Sequence, residues 1–178
     1  MAYCVRVIVF LLLVIFTAAG TCSLLFPLFR KEENEVKYQV FFWHREMITH
    51  TKTLDSVERI NNNQIECKKA KDFYTASAAL AVAGTGLGGL ATFVSFGYLF
   101  VRRSCCMALM LVILTFLSFA CFTADVGMIA SSYTQDACKD MPMYNKLKDQ
   151  DLDIVEAFGL MCAAAGGYLI IFVLSFCA

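Results

Sequence analysis

Four long apolar segments alternate with polar ones along the chain. The clearest covers residues 73–101, which contain no Asp, Glu, Lys or Arg and are followed directly by Arg102 and Arg103. An α-helix rises about 1.5 Å per residue, so roughly 20 apolar residues cross the hydrocarbon core of a bilayer. This segment is therefore long enough to span a membrane as one helix.

Three further segments have the same character, at residues 5–29, 105–133 and 157–177. The first could instead be a secretory signal peptide, because Arg6 precedes an apolar run that has small residues near its end. The run continues to residue 29, well beyond a usual signal-peptide core, which favours a helix that is retained. We therefore predict an all-α membrane protein with a four-helix transmembrane bundle.

Polar loops separate the predicted spans. Two are long, at residues 30–72 and 134–156, whereas about three residues join the second and third spans. Residues 36–43 read VKYQVFFW, and their β-branched and aromatic side chains predict a strand. Residues 61–63 are all asparagine and predict a turn. The chain is thus predicted to form one domain, residues 1–178, with a small β-containing first loop.

The composition agrees with a membrane protein. Of the 178 residues 59% are hydrophobic and 17% are charged, whereas a soluble domain carries about a quarter charged residues. The formal net charge is zero, so we expect no attraction to nucleic acid. The expected partner is the lipid bilayer, together with further copies of the chain in a homo-oligomer or other membrane proteins.

Two observations about charge disagree on the orientation of the spans. The long loops hold twelve Lys and Arg residues and the opposite side only Arg6, Arg102 and Arg103, which would place the loops in the cytoplasm. However, the basic residues of the loops are mixed with fourteen acidic ones, while the short link is purely basic. We favour a multi-pass protein of the plasma membrane with both termini cytoplasmic and both long loops extracellular.

Seven of the nine cysteines lie in or at the ends of apolar segments, where a free thiol is a small apolar group. The other two, Cys67 and Cys138, lie one in each long loop. They form a disulfide if the loops face an oxidising compartment, and two free thiols are the alternative. Cys105 and Cys106 follow the basic link at the membrane edge and are candidates for S-palmitoylation, although two small residues beginning a helix explain them as well.

Small residues recur at helix-packing intervals in two spans. Gly84 and Gly88 have GxxxG spacing in the second span, and Gly159, Ala163 and Gly167 repeat the interval in the fourth. Small side chains at this interval let helix backbones approach closely, which matters because lipid supplies no hydrophobic force between helices. We predict that these residues pack the bundle, with an oligomer interface as the alternative.

Asp125 is an acidic residue inside the third predicted span. Intramembrane acids are costly and often mark ion or substrate paths. Such a path normally needs more polar groups than one acid, and the middle of the spans offers no basic partner. A hydrogen bond to a neighbouring helix, or to water near the membrane surface, is the favoured explanation, and a transporter or channel component is the alternative.

The polar residues show no catalytic pattern. His44 and His50 lie six residues apart with Glu46 between them, which is not the spacing of zinc ligands. Motifs of serine hydrolases, P-loop proteins and zinc proteases are absent from the sequence. We therefore predict a protein that is not an enzyme, with no catalytic residue, no metal and no cofactor.

The layout resembles that of claudin-like four-span proteins, and more specifically the amastin family of trypanosomatid surface proteins. The similarity covers nearly the whole chain and rests on Phe42 and Trp43 in the first loop, Cys67 before the second span and Cys138 after the third. Gln39 and His44 stand where the family has a cysteine and a glycine, so the chain looks like a divergent member.

The resemblance implies a non-enzymatic plasma-membrane surface protein that acts in host–parasite interaction or membrane organisation. It also implies that Trp43 is the packing anchor of the first loop. An accessory subunit of a larger membrane complex is a further alternative, and it predicts that Phe41, Phe42 and Trp43 become buried only against another chain.

Overall fold

Four α-helices form the body of the protein in a computed structural model, which describes residues 2–33, 36–50, 55–101, 105–135, 138 and 152–176. The helices are α1 (Ala2–Ser23), α2 (Lys68–Phe100), α3 (Cys105–Thr134) and α4 (Glu156–Ser175). Each is long and apolar enough to cross a membrane. The expected four-helix membrane fold is therefore confirmed.

The helices form a closed bundle. Each packs against its neighbours in the chain, and α1 also packs against α4. We call the end at which α1 begins and α4 ends the termini end, and the opposite end the sheet end. At the termini end Arg6 donates hydrogen bonds to the carbonyl oxygens of Tyr98 and Val101, at 3.4 and 3.2 Å. A cation at the end of α2 also suits the helix dipole, so these bonds hold the start of α1 against α2.

The largest difference from the predicted spans is in the first. Helix α1 ends at Ser23 rather than at residue 29, and residues 24–28 turn the chain into a strand. Pro27 lies in this turn, and proline disfavours a continuing helix because it lacks an N–H group. Helix α2 begins at Lys68, five residues before the predicted span, and the Cys67 sulfur caps it by accepting a hydrogen bond from the Ala70 amide.

A five-stranded antiparallel sheet covers the sheet end of the bundle. Its strands are β1 (Phe29–Glu33), β2 (Val36–Val40), β3 (His44–His50), β4 (Asp55–Asn61) and β5 (Asp153–Ile154), in the spatial order β4-β3-β2-β1-β5. The sequence predicted one strand over residues 36–43, but β2 ends at Val40 and residues 41–43 form the turn to β3. The second long loop contributes β5, so both loops build the sheet.

Two groups of buried apolar side chains hold these parts together. The junction core lies between sheet and bundle and contains Leu28, Phe29, Val40, Phe42, Ile65, Cys67, Ala70, Tyr74, Ala78, Ala81, Ile129, Leu152, Ala157 and Met161. The bundle core contains Val9, Leu13, Ala91, Leu111, Phe122, Ala164, Tyr168 and Ile171. Large apolar side chains also point outward, such as Phe93 at 78% and Phe100 at 75% exposure, as expected for a surface in contact with lipid.

Candidate functional site

A disulfide joins the two cysteines of the long loops. Cys67 immediately precedes α2 and Cys138 follows α3, and their Cα atoms lie 6.5 Å apart, within the range that disulfides allow. The bond closes a chain segment of 71 residues that includes both helices. The structure thus brings together the pair that the sequence singled out and ties the second loop to the base of the sheet.

The turn between β2 and β3 corrects the predicted anchor of the first loop. Phe42 is 1% exposed and belongs to the junction core, whereas Trp43 is 50% exposed. The Asn62 side-chain amide donates to the carbonyl oxygens of Phe41 and Phe42, at 3.2 and 2.8 Å. Because the strand ends at Val40, the turn points Phe42 inward and leaves Trp43 outside. The prediction of Trp43 as the packing anchor is wrong, and Phe42 has that role.

A charged cluster lies on β3 beside this turn. The Glu46 carboxylate lies 2.6 Å from Arg59 Nε and 3.1 Å from His44 Nε2. Arg45 points to the opposite face of the strand, where its guanidinium lies 5.2 Å from the centre of the Tyr74 ring in α2. Strand β3 is therefore joined to β4 by an ion pair on one face and to the bundle by a cation–π contact on the other.

The two histidines of the first loop lie at opposite ends of β3, His44 at its start and His50 at its end. A strand rises about 3.3 Å per residue, so six residues separate their Cα atoms by roughly 20 Å. Both cannot ligate one metal ion. Within the described ranges no three His, Cys, Asp or Glu side chains are grouped as a metal site.

Asp125 lies in the interface between α2 and α3 and is fully buried. The Ser77 hydroxyl donates a hydrogen bond to its Oδ1 atom, and Oδ2 has no hydrogen-bond partner among the residues that the structure describes. The other charged residue within the four predicted spans, Arg6, hydrogen-bonds to the end of α2 at the opposite end of the bundle and does not contact Asp125. The contact has the geometry of the favoured explanation, a hydrogen bond between neighbouring helices.

Three of the five predicted packing residues lie at helix contacts. Each is a glycine whose Cα faces an aromatic ring of another helix: Gly84 faces Phe122, Gly88 faces Tyr168 and Gly167 faces Phe16. A Cβ atom at Gly84 would lie 3.1 Å from the Phe122 ring, and at the other two glycines it would overlap the ring or its hydroxyl. Gly20, which the sequence reasoning missed, faces Phe122 in the same way, with a Cβ position 2.7 Å from the ring.

Gly159 and Ala163 do not lie at such contacts. Both are on the exposed face of α4, and a Cβ atom at Gly159 would meet no other atom within 4 Å. The prediction that they pack the bundle is wrong. Residues four apart are offset by about 40° around a helix, so the stripe drifts across the surface of α4, and Gly167 faces the bundle while Gly159 and Ala163 face outward.

A cluster of hydroxyl groups, which sequence reasoning also missed, occupies the middle of the bundle. The Thr17 hydroxyl of α1 lies 2.8 Å from the Tyr168 hydroxyl of α4 and 3.2 Å from the Thr92 hydroxyl of α2. The Tyr168 hydroxyl reaches this position because Gly88 has no side chain. Three helices are thus joined by hydrogen bonds at one level.

The termini end carries exposed thiols. Cys105 and Cys106 are free and exposed in the first turn of α3, and Cys4 is free and exposed in the first turn of α1. The sequence singled out the first two, whereas Cys4 joins them only through the fold. S-palmitoylation of Cys105 and Cys106 stays a prediction.

Together these features define a class, the four-span helical membrane proteins whose two long loops form one disulfide-linked, sheet-bearing region. The family described as Amastin surface glycoprotein matches residues 7–174, nearly the whole chain. The chain therefore belongs to the amastin family of surface membrane proteins, as the resemblance predicted. No curated protein matches it. None of its five asparagines stands in an N-x-S/T acceptor sequence, although the family description names a glycoprotein.

Proposed function

We propose that this chain is a non-enzymatic protein that displays its five-stranded sheet outside the cell, with both termini cytoplasmic. It acts there in host–parasite contact or in membrane organisation. The observation that carries the orientation is the bond between Cys67 and Cys138, because disulfides persist where the compartment is oxidising. The purely basic link between α2 and α3 agrees, since it then lies on the cytoplasmic side.

The sheet offers a surface suited to contact with another molecule. Strand β4 is the last strand at one edge, so one side of its backbone has no strand partner among the described residues. Its Val57 is 54% exposed and its Ile60 43% exposed, and Trp43 is exposed in the adjacent turn. Exposed aromatic and apolar groups beside an open strand edge are features of interaction surfaces.

The structure changes what an accessory subunit of a larger complex would bury against its partner. Phe42 is already buried within the chain, so a partner would cover the exposed Trp43 and the partly buried Phe41. The hydrogen bond between Ser77 and Asp125 gives no specific support to a transporter or channel, because it uses the carboxyl group to join two helices.

A new glycosylation acceptor tests the orientation. Met47→Asn places an N-x-T acceptor in the middle of β3, where Ile48 and Thr49 follow and the native side chain is 37% exposed. Position 47 is 21 residues before α2 in the sequence. In a eukaryotic cell we expect a mobility shift that an N-glycosidase removes, and no shift for the matched control Met47→Gln. Glycosylation of an acceptor added before Ala2, with none at position 47, would contradict the proposed orientation.

A further inference from the structure

Three exposed thiols from two separate helices lie at the termini end. Cys4 lies in the first turn of α1, two residues before Arg6, and Cys105 and Cys106 begin α3. The hydrogen bonds from Arg6 to the carbonyl oxygens of Tyr98 and Val101 fix the start of α1 beside the end of α2, from which the link leads to α3. Cysteines that are about a hundred residues apart in sequence are thereby placed on the same end of the bundle.

The helix lengths set the depth of these thiols. Helix α1 has 22 residues. It is therefore about 33 Å long, close to the roughly 30 Å of a hydrocarbon core. Cys4, the third residue of α1, thus lies at the membrane edge. Cys162 is also free and exposed, but it is the seventh residue of α4, counted from the sheet end. It lies about 9 Å into the membrane from the other side.

Cys106 on α3 and Cys4 on α1 each precede a stripe of exposed apolar side chains on the same helix. On α3, Leu109, Met110 and Ile113 are 58%, 51% and 48% exposed and follow Cys106 by three, four and seven residues, which places them on its helix face. On α1, Ile8, Leu11 and Ile15 are 49%, 53% and 58% exposed and follow Cys4 by four, seven and eleven residues. A hydrocarbon chain attached to either thiol would lie along such a stripe toward the middle of the bilayer.

We propose that the termini end is an S-acylation site at which Cys4, Cys105 and Cys106 carry long-chain fatty acyl groups. The site rests on the proposed orientation, because the acyl donor, a long-chain acyl-coenzyme A, is cytosolic. The cysteine sulfur attacks the thioester carbonyl carbon, the bond from that carbon to the coenzyme A sulfur breaks, and coenzyme A leaves as its thiol with the proton that the cysteine gave up. No oxidant or reductant takes part. Acyl chains on α1 and α3 hold this end of the bundle in the cytoplasmic leaflet.

Acyl exchange on the full-length protein tests the site. Free thiols in membranes from expressing cells are blocked with N-ethylmaleimide, thioesters are cleaved with neutral hydroxylamine, and the released thiols are tagged with a maleimide polymer that adds one mass step each. We expect up to three hydroxylamine-dependent steps for the native sequence and for the control Cys162→Ser. Serine at position 4, 105 or 106 should remove one step, and the triple variant should show none.

Two results would overturn the proposal: no hydroxylamine-dependent step in the native sequence, or an unchanged pattern in the triple variant. The same assay on the Met47→Asn variant separates this inference from the orientation. A glycan at position 47 without acyl steps refutes the acylation site and leaves the orientation intact. Neither glycan nor acyl steps, with an N-terminal acceptor glycosylated, refutes both.

Discussion

Replacing Gly88 with alanine should destabilise the bundle, because the hydroxyl cluster of Thr17, Thr92 and Tyr168 requires the absence of a side chain there. The Tyr168 side chain is fully buried, and its hydroxyl lies 2.8 Å from the Thr17 hydroxyl. A Cβ atom at Gly88 would overlap that hydroxyl and would lie 2.7 Å from the ring carbon that carries it. The ring would have to move away from α2, and the hydrogen bond to Thr17 would be lost or lengthened.

Three contributions determine how much Gly88→Ala changes the free energy of unfolding. Overpacking a filled core costs typically about 1–3 kcal/mol. A hydrogen bond between membrane helices is worth about 0.6 kcal/mol on average. Alanine gains up to about 1 kcal/mol over glycine as a helix former. The sum predicts that Gly88→Ala lowers the free energy of unfolding by roughly 0.5–2.5 kcal/mol.

Gly86→Ala is the matched control, since the same change two residues away in α2 meets no other atom within 4 Å. Only the higher helix propensity of alanine applies here, so the free energy of unfolding of this variant should rise by up to about 1 kcal/mol. The two alanine variants should then differ by roughly 1.5–3.5 kcal/mol. The measurement is the midpoint of unfolding by added SDS in mixed micelles, followed by circular dichroism.

A third variant separates the overlap from other effects of the methyl group. In Gly88→Ala combined with Tyr168→Phe the hydroxyl is removed but the ring carbon 2.7 Å from the new Cβ position stays. The double variant should therefore recover part of the loss rather than all of it. Equal midpoints for Gly88→Ala and Gly86→Ala would refute the reasoning, because they would mean that Tyr168 does not occupy the space beside Gly88.

Three further substitutions test the sheet end and the interface of α2 and α3. Phe42→Ala should cost about 3–5 kcal/mol by opening a cavity in the junction core, whereas Trp43→Ala should change the stability by less than about 0.5 kcal/mol, as thermal unfolding will measure. Asp125→Asn keeps an acceptor for the Ser77 hydroxyl, so its free energy of unfolding should lie within about 1 kcal/mol of the native value. Ser77→Ala should lower the free energy of unfolding by about 0.6 kcal/mol, and Asp125→Ala should lower it by more. Equal losses for both Asp125 variants would contradict a hydrogen-bonding role. Cys67→Ser should lower the free energy of unfolding by up to about 4 kcal/mol, because the unfolded chain is no longer restricted by a closed loop of 71 residues. Replacing both Cys67 and Cys138 should give the same denaturation midpoint as this single change.

The number of helices could be predicted from the sequence because crossing a bilayer requires about 20 apolar residues, and that requirement is visible in any apolar run. Strands β3 and β4 could not be predicted in this way. Their sequences, HREMITH and DSVERIN, carry charges on both faces. They form strands because β3 buries Arg45 and Glu46 in specific contacts and because β4 pairs with β3 along its whole length. Those contacts form only in the assembled sheet, and the sequences of β3 and β4 lack the alternation of apolar and polar residues by which a strand is predicted.

Small-residue spacing also could not predict which side of each helix faces the bundle. Gly84 and Gly159 look alike in sequence, yet one faces Phe122 and the other faces outward. In a soluble helix the apolar side marks the core, but a membrane span is apolar all round. The signal that distinguishes the faces here is the opposite one, because the buried side of α3 carries three polar residues within the span, Thr115, Ser118 and Asp125.

The five-stranded sheet is built by the whole chain rather than by the first loop alone. Strand β5 pairs with β1, the Val155 amide donates to the Leu28 carbonyl at 3.2 Å, and Arg30 forms an ion pair with Glu156 at 3.3 Å. These contacts join residues more than 120 positions apart, and the junction core draws on α2, α3 and α4 together. Contacts of such separation carry a loop-closure cost, so the sheet depends on the helices that pack against it. A partner of the sheet should therefore be sought with the full-length protein in a membrane, because the first loop alone lacks the side chains that bury Phe29, Val40 and Phe42.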